Sequence, residues 1–345
     1  MLFPLLRPVL HRLDPERAHK LTIALLARAP LPGRGAARPD GALAIRVAGI
    51  DFPNPVGMAA GFDKDAEVPD AVLRLGFGFT EVGSITPRPQ AGNPQPRLFL
   101  LPRERAVINR MGFNNSGALA AIERLESRRG RRGVVGVNIG ANKDSDNRVA
   151  DYAKMAQAMA PLATYLAVNI SSPNTPGLRA LQDESVLADL LDAVLAARGG
   201  DGPPVFLKVA PDLEPADIDA IARIAMDRSL GALIVSNTTV SRPGLAPGAG
   251  AEAGGLSGAP LKALALQRLR DFFTATGGEL PLIGVGGISD ADDAWERIRA
   301  GASLVQLYSA LVYEGPGLAR KIVRGIEKRM KAEGFADIAE AVGTA

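Results

Sequence analysis

The sequence predicts an α/β fold: a (β/α)8 TIM barrel with a short N-terminal helical hairpin extension. Two observations carry this. Eight times along the chain, a short apolar β-type run ends in polar or glycine-rich residues and gives way to a helical stretch. That alternation implies a parallel sheet, because parallel neighbours need a crossover connection. The length of 345 residues also suits one barrel of about 250 residues plus an attachment. The expected units are residues 1–40, an amphipathic hairpin and linker, and residues 41–345, the barrel.

The eight runs are residues 56–61, 79–85, 134–140, 165–171, 205–210, 232–239, 280–288 and 304–310. An active site in such a barrel lies at the C-terminal strand ends. Those ends carry Gly61 to Lys64, Ser84, Asn138, Asn169 to Ser172, Lys208, Ser236 to Thr238, Gly286-Gly287 and Tyr308-Ser309. Amides, hydroxyls and two lysines converge on one mouth.

Ahead of the barrel, Leu2, Leu5, Leu6, Val9, Leu10 and Leu13 follow the spacing of one apolar helical face, with Arg7, His11 and Arg12 outside the stripe. Pro8 should bend or break this helix. Asp14-Pro15 reads as an N-cap followed by proline at the first helical position, starting a second helix with Ala18, Leu21, Leu25 and Leu26. Residues 30–39 read as a Pro/Gly-rich linker. Residues 1–40 hold seven Lys/Arg against three Asp/Glu. No apolar stretch approaches the ~20 residues that span a bilayer, and Pro4, Arg7 and Pro8 interrupt any signal-peptide core. Two readings remain: a hairpin packed on the barrel, or a basic amphipathic hairpin lying in a membrane interface.

Composition narrows the chemistry. With 47% hydrophobic residues there is material for a large core, and disorder is excluded. Zero cysteines exclude disulfides, thiolate metal sites and a cysteine nucleophile. The two histidines, His11 and His19, both precede the barrel, so no histidine metal cluster or Ser-His-Asp triad forms within it. A net charge of +3 gives no argument for nucleic acid.

Two glycine clusters, residues 254–258 and 284–288, flank the seventh strand, in the region where these barrels bind phosphate. They read as a phosphate cradle or as plain turn glycines. Asn138, Asn169 and Asn237 each donate and accept, which suits the imide edge of a flavin or a pyrimidine. Lys208, inside an apolar strand, faces either a developing negative charge or an acid on another strand. The loop 169–179, with its prolines and glycine, is long enough to cover a ligand. Its Ser172 is either a base without histidine or a turn serine.

Nine collinear segments then carry a resemblance: Asp14-Pro-Glu-Arg-Ala-His19, Ala59-Ala-Gly-Phe-Asp-Lys-Asp65, Thr86-Pro-Arg-Pro-Gln90, Ile108-Asn-Arg-Met-Gly-Phe-Asn-Asn115, Val137-Asn-Ile-Gly140, Asn169-Ile-Ser-Ser-Pro-Asn-Thr-Pro-Gly177, Ser236-Asn-Thr-Thr239, Gly254-Gly-Leu-Ser-Gly258 and Gly284-Val-Gly-Gly-Ile288. Together they resemble the quinone-dependent (class 2) dihydroorotate dehydrogenases from about residue 3 to 330. The resemblance implies FMN as cofactor, oxidation of (S)-dihydroorotate to orotate in de novo pyrimidine synthesis, and ubiquinone or menaquinone as acceptor. By position, Ser172 resembles the base that takes the C5 proton while hydride leaves C6 for flavin N5. Lys64, Asn109, Arg110, Met111, Gly112, Phe113, Asn169, Asn174, Asn237 and Thr238 resemble the substrate set. Ala60, Gly61, Phe62, Asp63, Lys64, Ser84, Asn138, Asn169, Lys208, Ser236, Gly258, Gly287, Tyr308 and Ser309 resemble the FMN set, with His19 and Tyr308 at the quinone end and no metal.

The resemblance further implies a monomer. It implies that the hairpin attaches the protein peripherally to the cytoplasmic side of the inner membrane and shapes an apolar quinone tunnel. Two departures stand out. Relatives commonly carry arginine where this chain has Leu100, with Arg103 as a possible substitute, and Pro8 interrupts the first helix. Two competing readings are a flavin barrel oxidising dihydropyrimidine or dihydrouridine, whose members typically rely on cysteine, and a flavin-free phosphate-binding lyase or isomerase.

Overall fold

The structure, a computed structural model, describes residue 3, residues 7 and 8, and residues 11–28, 37–175, 177–246 and 248–345. Eight parallel strands close into one barrel. In chain order they are β1 (Val56–Met58), β2 (Phe79–Ile85), β3 (Val134–Ile139), β4 (Tyr165–Asn169), β5 (Val205–Val209), β6 (Ala232–Val235), β7 (Leu282–Val285) and β8 (Ala302–Leu307). Each falls within or overlaps one of the apolar runs. The strands stop earlier than several runs, because the polar and glycine ends leave the ladder to form the mouth. Helices Pro69–Arg74, Gly117–Ser127, Arg148–Met159, Glu184–Arg198, Pro215–Asp227, Lys262–Ala275, Ala291–Arg299 and Leu318–Ala332 form the outer layer.

Inward side chains fill the barrel by matching large residues to absent ones. Phe79 of β2 pairs in register with Gly57 of β1, and Tyr165 of β4 with Gly136 of β3. A Cβ on Gly57 would lie 2.2 Å from the Phe79 ring, and one on Gly136 would lie 2.0 Å from the Tyr165 ring. Each glycine thus makes room for its neighbour's aromatic side chain. Tyr165 in turn stacks on Phe206 of β5, with ring centroids 4.4 Å apart. A hairpin of Ile45–Val47 and Ile50–Phe52 packs at the bottom, where Phe52 meets Phe79 edge to face at 5.1 Å.

At the mouth stands a feature that the alternation did not foretell. Leu98–Leu101, Ala106–Asn109 and Gly255–Gly258 form a three-stranded antiparallel sheet. The first glycine cluster is therefore partly an edge strand. A Cβ on Gly254 would meet the Asn109 carbonyl at 2.4 Å, and one on Gly258 the Arg105 carbonyl at 2.4 Å. Close backbone approach, beyond any turn, selects glycine there.

Helix Pro15–Arg28 begins as the sequence predicts, with Asp14 Oδ1 accepting from the Arg17 N–H at 2.9 Å. Of the preceding stripe, Leu2, Leu5, Leu6, Val9 and Leu10 lie outside the described residues, as do residue 29 and residues 30–36 of the linker. Arg7 Nη1 donates to the Tyr313 carbonyl at 3.0 Å, and His11 Nε2 lies 3.0 Å from the Val312 carbonyl. These contacts seat the N-terminal segment on helix Ser309–Glu314, immediately after β8.

Candidate active site

The strand ends surround a cavity of about 670 Å³ that runs from the barrel mouth to beneath helix Pro15–Arg28. Its deep end is polar, with Lys64, Asn169, Ser172 and Lys208, while Leu21, Leu25, Leu98 and Leu100 line the outer end.

The polar end is organised from below. Glu81 of β2 is fully buried and accepts from Asn138 Nδ2 at 2.7 Å, Gln306 Nε2 at 2.8 Å and the Tyr165 hydroxyl at 3.1 Å. Asn138 is thereby oriented, and its Oδ1 accepts from Ser84 Oγ and from Asn169 Nδ2. Asn169 Nδ2 also donates to Ser84 Oγ at 2.9 Å. Asn169 Oδ1 then accepts from Ser171 Oγ at 2.9 Å, and Ser171 Oγ accepts from Asn237 Nδ2 at 3.0 Å. One buried carboxylate sets the direction of a chain of neutral amides and hydroxyls ending at the cavity.

Lys208 of β5 is buried and makes no hydrogen bond or ion pair among the described residues. Burial lowers its pKa, and the Glu81 charge opposes that shift. The acid acting on Lys208 is thus Glu81 in mid-strand. Lys64 lies on the loop after β1, and burial draws its ammonium down to about 8. It stays mostly cationic at neutral pH.

The loop after β4 presents Ser172, whose Oγ accepts from the Asn174 N–H at 3.3 Å. Asn174 Nδ2 donates to Asn109 Oδ1 at 3.1 Å, bringing this loop onto the antiparallel sheet. Arg179 fastens the loop from behind through the Ser171 carbonyl at 3.2 Å, the Thr238 carbonyl at 3.1 Å and the Asp212 carboxylate at 2.9 Å. Thr238 Oγ1 and Gln306 Oε1 are buried without a partner, and both residues line the cavity.

Towards the outer end, the Tyr308 hydroxyl lies 3.3 Å from His19 Nδ1, and both rings pack edge to face on Phe62 at 5.6 Å. Burial lowers His19 to about 3, so the imidazole is neutral at physiological pH. Glu16 on the same helix receives a bidentate pair from buried Arg97, with Nη2–Oε1 2.7 Å and Nε–Oε2 2.9 Å. Arg97 Nη1 also donates to the carbonyls of Ala91 (2.6 Å) and Asn93 (2.7 Å). Asn93 Nδ2 donates to Arg110 O and Asn174 O, each at 3.0 Å. The N-terminal helix is therefore tied by hydrogen bonds to the loop that carries Ser172.

Of the residues singled out from sequence, Asp63, Arg110 and Asn138 do not line the cavity; the others do. Asp63 accepts from the backbone N–H groups of Glu67 and Val68 and shapes the loop after β1. Arg110 stacks over Phe99 and pairs with Glu252 at 2.7 Å. Asn138 lies one layer below, as described. Leu100 lines the cavity, while Arg103 is exposed and does not line it. Sequence reasoning missed Glu81, Gln306, Glu16, Asn93 and Arg97. The alternation of inward residues along β2 and β8 could have flagged Glu81 and Gln306. Among the described residues no group of three or more His, Cys, Asp or Glu suits a metal ion.

Comparison with known proteins follows this geometry. Residues 42–330 match the family model described as dihydroorotate dehydrogenase. A curated relative from Erythrobacter litoralis (strain HTCC2594), named dihydroorotate dehydrogenase (quinone), is 69% identical over 344 residues and covers 100% of both chains. One of the same name from Novosphingobium aromaticivorans is 65% identical over 347 residues, 99% of each chain. The crystal structure of DHODH in complex with ferulenol from Eimeria tenella superposes with a TM-score of 0.91 at 40% identity, covering 96% of this chain and 95% of that one.

The Glu16–Arg97 pair yields a test. Arg97 holds the Glu16 carboxyl down at about 2, so the pair's contribution to stability is present above the ordinary carboxylate pKa of about 4.5 and is lost as pH falls towards 2. Glu16→Gln leaves a buried guanidinium without its counterion and should destabilise by about 3–5 kcal/mol at pH 7. Thermal melts from pH 7 down to 3 should show the variant gap narrowing. A gap unchanged across that range would show that the charge of Glu16 is not what stabilises the contact.

Proposed function

Because the chain belongs to the quinone-dependent (class 2) dihydroorotate dehydrogenases, we propose that the polar end of its cavity holds FMN beside dihydroorotate and the apolar end admits the quinone. The enzyme is an oxidoreductase that oxidises dihydroorotate with a quinone as acceptor, a step of pyrimidine biosynthesis. The observation that carries the finer reading is Lys208: a buried cation with no hydrogen-bond partner, at the edge of a cavity lined by neutral amides. Glu81 offsets part of the cost of burying this amine, and electron density on a ligand in the cavity would supply the hydrogen-bond acceptor that it lacks. The unpartnered Thr238 Oγ1 and Gln306 Oε1 point the same way.

These residues fit a flavin. Ala60, Gly61, Ser84, Asn169, Lys208, Ser236, Gly258, Gly287, Tyr308 and Ser309 would hold it, with Ser257 Oγ and Ser309 Oγ, 2.7 Å apart, near the glycine segments. FMN bound there would supply the redox chemistry that links oxidation of dihydroorotate to reduction of quinone. The chain's own part is to bind, orient and move a proton. Lys64 offers positive charge to the substrate carboxylate, and Asn109, Asn174 and Asn237 offer amide pairing to the ring. Ser172 Oγ takes the C5 proton while its own hydroxyl proton passes on to water or a threonine relay, since no histidine is hydrogen-bonded to it; the Asn174 N–H, which donates to Oγ, steadies the oxygen in that step.

At the outer end, the exposed Leu13, Leu21 and Leu25 would enter the membrane interface. No helix among the described residues is long and apolar enough to cross a membrane; the exposed leucines are the basis for reading the attachment as peripheral, on the inner-membrane surface. His19 and Tyr308 would be the polar groups met by a quinone head. Removing residues 1–40 should abolish co-flotation with lipid vesicles and reduction of a long-chain quinone. Normal long-chain quinone turnover by the shortened protein would defeat the tunnel assignment.

Ser172→Ala should keep FMN while flavin reduction by dihydroorotate, followed in a single anaerobic turnover at neutral pH, slows by about 10²–10⁴-fold. A variant reduced at the wild-type rate would remove Ser172 from its role.

A further inference from the structure

Among the buried charges in the described residues, Arg297 is one that the reading above leaves unused. It sits on helix Ala291–Arg299, immediately after β7, and is 1% exposed. It forms no ion pair with any described residue. The acids near it on its own helix, Asp293 and Glu296, are both engaged by Lys262, at 2.6 Å and 3.3 Å. Arg297 Nη2 donates to two carbonyls, Lys262 O at 2.7 Å and Gly286 O at 2.9 Å. Its Nε and Nη1 are buried without partners. Two carboxylates against the one ammonium of Lys262 leave a negative charge that offsets Arg297, so what its contacts give it is a geometric role: a buried, rigid guanidinium that grips main-chain carbonyls.

Peptide geometry turns these contacts into a direction. In a trans peptide the C=O and N–H point to opposite sides of the chain. The Gly286 carbonyl points at Arg297, so the Gly287 N–H points away from it. Gly286, Gly287 and Ile288 line the cavity, while Arg297 does not. Gly287 has φ +73°, and a Cβ there would lie 2.3 Å from Lys262 Cα, so the backbone after β7 rests directly on the start of helix Lys262–Ala275. The same guanidinium grips both backbones, one carbonyl from each. Its removal would free both to turn.

We infer that Arg297 is a positioning residue for the phosphate monoester of the bound flavin: by holding the Gly286 carbonyl against the start of helix Lys262–Ala275 it aims the Gly287 N–H into the cavity. The ligand chemistry is that of an anion held by main-chain donors, whose strength depends on their being fixed in advance. The inference rests on the FMN reading and deepens it.

The experiment compares FMN with riboflavin, which lacks only the phosphate, by fluorescence titration of the apo-protein. Wild type should prefer FMN. Arg297→Met should weaken FMN about 10–100-fold, the range of a lost charge-assisted contact, while riboflavin changes little, so the discrimination ratio collapses. Arg297→Lys keeps the charge on a shorter side chain that does not reach the position of Nη2 between the two carbonyls, and should lower the ratio by about tenfold. It decides the question if the methionine variant does not fold. An unchanged ratio in the folded variants, or equal weakening of both flavins, would overturn the role of Arg297 and leave the FMN reading intact. A wild-type protein that shows no preference for FMN would overturn both.

Discussion

A closed barrel has no solvent inside it, so each polar group that a strand turns inward must find its partner across the axis. Glu81 is where this constraint is met. Its carboxylate takes three donors from three other strands, through Asn138, Tyr165 and Gln306. The direction of Asn138 follows from that contact, the directions of Ser84 and Asn169 follow from Asn138, and those of Ser171 and Asn237 from Asn169. Lys208, held within the same interior without a hydrogen-bond partner, is left to face the cavity. The chemistry of the mouth is thus inherited from a residue that does not line it.

The cavity joins two solvents, polar amides at depth and leucines at the surface, and the N-terminal helix closes the second onto the first. Glu16, Arg97 and Asn93 make that closure specific. Through them a helix with exposed leucines is hydrogen-bonded to the backbone of Arg110 and Asn174. The mouth has three such fixed supports: Glu81 below, the Glu16–Arg97 pair at the side, and Arg297 behind the glycine turn after β7. Each is a buried charged residue whose hydrogen bonds orient neighbouring groups at the mouth, and none belongs to the set of residues that strand ends suggest.

Much of the fold is legible because its signal is local. Apolar runs, the glycines that end them and the Asp14-Pro15 helix start all lie within a few residues of the element they specify. So do the groups at the strand ends, which reach the mouth by virtue of being strand ends. What escapes is set by pairing at a distance. Ala106–Asn109 finds Gly255–Gly258 nearly 150 positions away, and no local pattern marks either as a strand of the same sheet. Glu81 to Gln306 and Glu16 to Arg97 are likewise long-range pairs. Gly57 and Gly136 read as weak points in strands until the aromatic side chains beside them are seen. The side chains of Asp63 and Arg110 turn to a loop backbone and to Phe99 and Glu252, a direction that a motif, which preserves position alone, does not state.

The most direct test of the account is to hold the full-length, FMN-loaded protein in mild detergent without oxygen, add dihydroorotate, follow the flavin absorbance, and then add a ubiquinone analogue. The expected result is bleaching by dihydroorotate and recovery on quinone, both half-reactions in one cuvette. A flavin that stays yellow in the presence of dihydroorotate would contradict the assignment of the amide-lined mouth, Ser172 included, to that substrate.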